Sequence, residues 1–136
     1  MFLLDTNVVS ETRKPKPHGG VMAWLDAQES NALFISAMTI GELQRGVEVT
    51  REQDENKAAQ IESWLEQIVA SGQLLALDAA VCRQWARLMH GQSDTLAEDG
   101  FIAATAHVHG LTVVTRNVRD FKALGVPTLN PFQKVA

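Results

Sequence analysis

Three acids in this chain, Asp5, Glu42 and Asp99, fall where an α/β fold can gather them. Asp5 ends the short apolar run Phe2-Leu3-Leu4. Glu42 lies near the start of a helix-forming stretch that follows a second apolar run, Leu33-Phe34-Ile35-Ser36. Asp99 opens a stretch rich in small residues that precedes the β-branched run Thr112-Val113-Val114-Thr115. Two carboxylates about 5 Å apart repel by roughly 3 kcal/mol at an effective dielectric of about 20. A closer gathering needs a proton or a divalent cation to be tolerable. Hard oxygen ligands suit Mg²⁺ or Mn²⁺, which keep positions open for water and phosphate. The chemistry such a cluster serves is metal-assisted hydrolysis of a phosphodiester.

Each acid also has a purely structural reading. Asp5 can close its strand, with Thr6 or Asn7 capping a helix that starts at Val8. Thr39-Ile40-Gly41-Glu42 has the form of a capping box, in which Glu42 reaches back to a backbone N–H. By motif alone Glu42 leans slightly toward that role. Thr95-Leu96-Ala97-Glu98 has the same form, leaving Asp99 as an acid favoured by the helix dipole. Asp99 stands out more, because it abuts Phe101-Ile102-Ala103-Ala104, which must pack inward. Other catalytic sets are missing. His18, His90, His107 and His109 have no zinc-like spacing with Cys82, and His107 with His109 reads as an end-of-helix pair. No Gly-x-Ser-x-Gly elbow, Walker A loop or Gly-x-Gly-x-x-Gly stretch occurs.

The elements that must position these acids follow from the hydrophobic pattern. Wholly apolar short runs read as strands buried on both faces, as in a parallel sheet. They are expected at 2–4, 33–36, 74–77 and 112–115, with an edge strand at 126–129 where Pro127 removes a donor. Between them, helices are expected over 21–29, from near Thr39 to Val49, over 51–71, around Val81 to Met89, and over 98–109. The clearest is 51–71, where Ile61, Trp64, Leu65, Ile68 and Val69 form one stripe and Gly72 suits the C′ position. In the helix at 98–109, Phe101, Ile102, Thr105 and Val108 are expected inward and Gly110 as the stop. Lys14-Pro15-Lys16-Pro17-His18-Gly19-Gly20 is a breaker-rich loop. Strands alternating with helices make a single α/β domain around a mostly parallel sheet. In such sheets the functional crevice lies outside the carboxyl ends of the strands, where Asp5 would sit.

Composition bounds the rest. The 136 residues, 46% hydrophobic and 21% charged, suit one folded domain and exclude a disordered chain. The single Cys82 cannot form an internal disulfide, which fits a reducing compartment. The opening Met1-Phe2-Leu3-Leu4 is too short for a signal h-region, and no apolar run approaches a membrane span, so a cytoplasmic protein without membrane contact is expected. A net charge of −4 weighs against a pure nucleic-acid-binding module. It does not weigh against an enzyme whose acids hold cations and whose phosphate contacts are local, such as the basic groups at Arg13, Lys14 and Lys16 or at Arg116, Arg119 and Lys122.

The assembled motifs resemble the PIN-domain family. Phe-Leu-Leu-Asp-Thr-Asn-Val-Val-Ser-Glu is similar to the family's opening, and Ile-Ser-Ala-Met-Thr-Ile-Gly-Glu-Leu-Gln-Arg-Gly-Val to its second signature. Asp-Gly-Phe-Ile-Ala-Ala-Thr-Ala and Gly-Leu-Thr-Val-Val-Thr-Arg-Asn-Val-Arg-Asp-Phe resemble the third and fourth, all in the family's order. The likeness is to the VapC/FitB-type toxins of bacterial toxin–antitoxin pairs and covers 1–136 as one PIN-like domain. It implies a five-stranded parallel sheet flanked by helices and a Mg²⁺- or Mn²⁺-dependent endoribonuclease. It implies Asp5, Glu42 and Asp99 as catalytic acids and metal ligands, with Thr6, Thr115, Arg116 and Asn117 lining or supporting the pocket. It further implies an RNA substrate, a homodimer and a small antitoxin whose tail covers the acids. One departure stands out: the family's fourth acidic position falls on Asn117, with Asp120 three residues on. Asn117 is expected to cap a short helix, and Asp120 to point back along its own turn.

Two other readings remain open. A phosphoacceptor signalling domain also clusters acids at strand ends, but it wants an acid pair near the first strand and a lysine near the last. Here Asp5 stands alone and Arg116 follows the fourth strand. A catalytically weak PIN-like scaffold that binds RNA or a protein is favoured by Asn117 and opposed by the intact Asp5, Glu42 and Asp99.

Overall fold

The computed structural model describes residues 1–133. The strands are β1 (Phe2–Leu4), β2 (Leu33–Ser36), β3 (Leu74–Leu75), β4 (Thr112–Val114) and β5 (Thr128–Leu129). They form one wholly parallel sheet of order β3-β2-β1-β4-β5, as the apolar runs led us to expect, with β5 at the edge. The helices are α1 (Thr6–Glu11), α2 (Gly19–Asp26), α3 (Ala37–Arg51), α4 (Glu55–Ser71), α5 (Ala79–Met89), α6 (Ala97–His109) and α7 (Val118–Ala123). From β1 the next strand in sequence lies on one side and β4 on the other, so a topological switch point opens at the mouth of β1.

Both faces of the sheet are covered, which is why its strands carry no polar alternation. Leu3 and Val113 pack with Ile102, Ala103 and Phe121 of α6 and α7. Their neighbours Leu4 and Val114 face the other way, onto Val8, Val21, Leu43, Val47 and Leu65 of α1 to α4. The period of two along each strand thus divides one apolar run between two cores.

Several boundaries differ from the sequence expectation, each for a local reason. The helix after β1 starts at Thr6 rather than Val8, because Asp5 itself is the N-cap and its Oδ1 accepts from the Thr6 N–H. The helix after β2 starts at Ala37, capped by Ser36, whose Oγ accepts from the Met38 N–H. Thr39 is therefore inside the helix and fully buried, and no capping box forms with Glu42. The stretch expected as one helix from Arg51 is split: α3 ends at Arg51, and Asp54 caps α4 by accepting from the Lys57 N–H. Before α6, a 3₁₀ turn (Asp94–Leu96) is capped by Ser93, and Glu98 makes no capping box. Val108 is 39% exposed, and Ala103, Ala104 and Ala106 take the inward positions on α6. Gly110 ends α6 in the left-handed region at φ 67°, as expected. Gly72 does not adopt that conformation (φ −82°); a Cβ there would lie 2.7 Å from the Ile68 carbonyl, so closeness is what it accommodates.

The loop between α1 and α2 is tied by a buried acid. Glu11 is 4% exposed, yet it accepts from the Lys14 ammonium and, at 2.9 Å, from the His18 N–H. His18 in turn caps α2, its Nδ1 accepting from the Gly20 and Val21 N–H groups. The Lys14 ammonium beside Glu11 holds its carboxyl below the usual value of 4.5, against the cost of burial. A carboxyl lowered on folding contributes stability above its unfolded value and loses it as pH falls through the lowered one. Glu11→Gln should therefore cost about 1–2 kcal/mol at neutral pH. The deficit should shrink as pH is lowered below 4.5, read by urea denaturation across that range. A deficit independent of pH would refute the charged role.

Candidate active site

Asp5 lies where β1 ends, at the switch point, and is only 3% exposed. A carboxylate buried to that degree must be hydrogen-bonded. Its Oδ2 accepts from Thr115 Oγ1 at 2.7 Å and from Asn7 Nδ2 at 3.1 Å, while Oδ1 accepts from the Thr6 N–H at 2.8 Å. Thr115 is fully buried just past β4, and its oxygen accepts from the Asn117 N–H at 2.8 Å. The Arg116 N–H donates to Asn7 Oδ1 at 3.2 Å. The loop after β4 is thereby laced to the start of α1. Burial pushes the Asp5 carboxyl up, and the donors from Thr115, Thr6 and Asn7 oppose that.

Thr6 links Asp5's helix to α3. Its hydroxyl donates to Glu42 Oε1 at 2.9 Å, and its oxygen lies 3.1 Å from that of buried Thr39. With one proton on Thr6, Thr39 is left to donate to Thr6 while Thr6 donates to Glu42. Burial, then the neighbouring Glu98 carboxyl and the charge of Asp5, hold Glu42 up at about 7. Glu98 lies against Glu42 and is paired with Arg45, whose guanidinium meets it at 2.7 and 2.8 Å, and this pairing holds Glu98 below its usual range.

Asp99, half-buried in the first turn of α6, makes no hydrogen bond or ion pair among the described residues. Burial, followed by the charges of Asp5, Asp120 and Glu98, pushes it to about 6. The structure thus brings Glu42 and Asp99 each within electrostatic reach of Asp5. Among the described residues, no three carboxyl, imidazole or thiol groups stand close enough to enclose one ion by themselves. That arrangement still fits Mg²⁺, which takes one or two carboxylates and keeps several waters. An oxygen-only donor set, an undonated carboxyl at Asp99 and raised acids around it are chemically suited to a hard dication.

The placement of the last loop corrects the sequence expectation. Asn117 precedes α7, but its side chain makes no capping bond and is exposed. Asp120 is half-buried in the first turn of α7, and its negative charge is among the causes that raise Asp99. Arg116 contributes its backbone to the pocket, while its guanidinium lies 3.9 Å above the Phe132 ring. Reasoning from sequence missed Asn7, Thr39, Arg45 and Glu98. The available signals were Asn7's place two residues beyond an acid, and a basic residue one turn past Glu42.

A wholly parallel sheet with acids crowded at the mouth of its central strand defines a small acid-site α/β domain. The PIN domain family model matches residues 2–127, and the chain belongs to that family. It is similar to toxin FitB of Neisseria gonorrhoeae, 38% identical over 140 residues that span 97% of this chain and 99% of that protein. It is also similar to VapC ribonuclease Y4jK of Sinorhizobium fredii, 37% identical over 139 residues, 98% of this chain and 99% of that protein. Among solved structures, FitAcB from Neisseria gonorrhoeae aligns at a TM-score of 0.85 and 37% identity, covering 98% of this chain and all of that one (100%).

The crowding has a consequence for stability. Without a cation, Asp99→Asn removes one of several like charges and leaves no donor unpaired. Its melting temperature in EDTA at neutral pH should exceed that of the unaltered protein by a few degrees, by calorimetry. A clear drop would make Asp99 a structural acid.

Proposed function

We propose that this protein is a Mg²⁺- or Mn²⁺-dependent endoribonuclease that acts as the toxin of a toxin–antitoxin pair. The observation that carries this reading is the set Asp5, Glu42 and Asp99 near the sheet's switch point, with Glu42 held at about 7 and Asp99 at about 6 by burial and by the charges of Asp5 and other neighbouring acids. Acids raised in this way, gathered in a crevice, mark a functional site more often than a structural one. Full-length similarity to proteins named as a VapC ribonuclease and a FitB toxin supports the same reading.

In this reading Asp5 and Asp99 hold the cation, Glu42 reaches it directly or through water, and Asp120 adds charge in place of the acid that Asn117 lacks. When bound, the cation supplies an acidified water and a positive charge opposite the phosphate. The chain's own residues do the positioning. Thr115, Asn7 and the Thr6 N–H lock the Asp5 carboxylate in one orientation. The Thr6 hydroxyl aims Glu42. Arg45 offsets the charge of Glu98 beside Glu42, which lessens the repulsion an incoming phosphate meets. No helix among the described residues is long and apolar enough to cross a membrane, and a cytoplasmic site of action fits the RNA substrate.

Purified protein should cut RNA with Mn²⁺ or Mg²⁺, stop in EDTA, and lose at least a hundredfold in rate as Asp5→Asn or Asp99→Asn, with both variants folded by circular dichroism. Undiminished cutting in EDTA would overturn the metal mechanism.

The partner follows from charge. A concave acidic pocket suits an arginine on the tail of a small antitoxin, and a homodimer is the expected assembly. A tail peptide carrying that arginine should slow cleavage and compete with Mn²⁺ in calorimetric titration. Tight binding that leaves cleavage unchanged would contradict this.

A further inference from the structure

A groove leads away from the acids that the site itself does not use. Its inner part, about 310 Å³, is lined by Thr6, Ser10, Arg13, Glu42 and Ile61 among others. Its outer part, about 430 Å³, is lined by Arg13, Pro15, Lys57, Gln60, Ile61 and Trp64. Arg13 and Ile61 belong to both, so the groove runs continuously from Glu42 past the end of α1 to the side of α4. Its polarity changes along that path. The inner part carries Glu42 with Arg13, whereas Arg13 and Lys57 line the outer part without any carboxylate, and neither cation forms an ion pair among the described residues. At the outer end, half-buried Trp64 packs on the core beneath it and lines the groove. Trp24 and Trp85 have aromatic partners, Phe2 and Phe101; Trp64 has none among the described residues.

We propose that the outer groove is the track of a single-stranded RNA, with Arg13 and Lys57 on its phosphates and Trp64 beneath a base. The inference rests on the ribonuclease reading and specifies where the strand lies beyond the scissile phosphate. Free cations beside an unpaired aromatic face are the combination that single strands use: charge follows the backbone, and any base can stack. Two cations with no carboxylate beside them in the outer part suit a polyanion. In an acidic chain, such a local pair of free cations is where substrate phosphates are tolerated.

The test measures binding of a short fluorescein-labelled single-stranded RNA by anisotropy in EDTA across a salt series. Arg13→Ala and Lys57→Ala should each lower the slope of log affinity against log salt by about 0.7, and Lys57→Arg should restore it. Trp64→Ala should weaken binding about tenfold. Because Trp64 also packs on the core, Trp64→Phe is measured beside it and should retain most binding while losing the RNA-induced quenching of tryptophan fluorescence. In cleavage assays with Mn²⁺, the Arg13→Ala, Lys57→Ala double variant should raise KM by more than it lowers kcat. If that variant keeps both affinity and salt slope while the unaltered protein cuts RNA, the groove proposal falls and the ribonuclease reading stands. If the unaltered protein neither binds nor cuts RNA, both fall. Loss of binding to a polyglutamate peptide with RNA affinity unchanged would overturn the proposal in favour of an acidic protein partner.

Discussion

The interaction on which the rest depends is the burial of the Asp5 carboxylate at the mouth of β1. A carboxylate 3% exposed costs several kcal/mol unless donors surround it, and here Thr115, Asn7 and the Thr6 N–H do so. Those donors come from two segments far apart in sequence. Thr115 follows β4, while Thr6 and Asn7 begin α1, so satisfying one side chain joins the two strands that flank the switch point. Asn117 and Arg116 then direct their own N–H groups inward, onto Thr115 and Asn7. The loop after β4 takes its course from that requirement.

Around this fixed acid the fold arranges a graded tension. Glu42 and Asp99 are half-buried and raised, while Glu98, one residue from Asp99, is released by Arg45 and kept charged. Neighbouring acids on α6 thus have different fates: Glu98 is paired with Arg45, whereas Asp99 is left without a donor among the described residues. Elsewhere the acids are discharged conventionally. Arg51 gathers Glu48, Glu55 and Glu62 across α3 and α4 at 2.6–3.1 Å. The contrast makes the unpaired state of Asp99 informative, because the crowded acids of α3 and α4 around Arg51 are paired. Strain concentrated at one place, with the surroundings locally consistent, is the pattern expected of a functional site.

The breaker-rich loop after α1 has a related place in the architecture. Glu11, tied to Lys14 and the His18 N–H, closes the loop against α2, and Arg13 and Pro15 are left lining the groove beside α4. The loop's course therefore sets one wall of the groove, and the stripe of Ile61 and Trp64 supplies the other. Only part of that stripe is core: Leu65 is 2% exposed, whereas Val69 is 44% exposed.

The sequence by itself determined the fold class, the five short runs that become strands, and the place of Asp5 at the carboxyl end of the first. Buried parallel strands are local, all-apolar runs, so a single chain shows them directly. It also showed the family likeness, because the motifs flank those runs in order. Helix starts were less legible, since Asp5, Ser36 and Asp54 compete as caps with neighbours of nearly equal propensity. The tertiary structure decided what each polar group faces. Glu42 and Glu98 both sat in sequences of capping-box form, yet one meets Thr6 from another helix and the other meets Arg45. That the charge of Asp120 reaches Asp99 across the space between α7 and α6 is likewise a tertiary fact. Partners separated by tens of residues are chosen by how packed helices rotate on the sheet, and that rotation is set by both hydrophobic faces together.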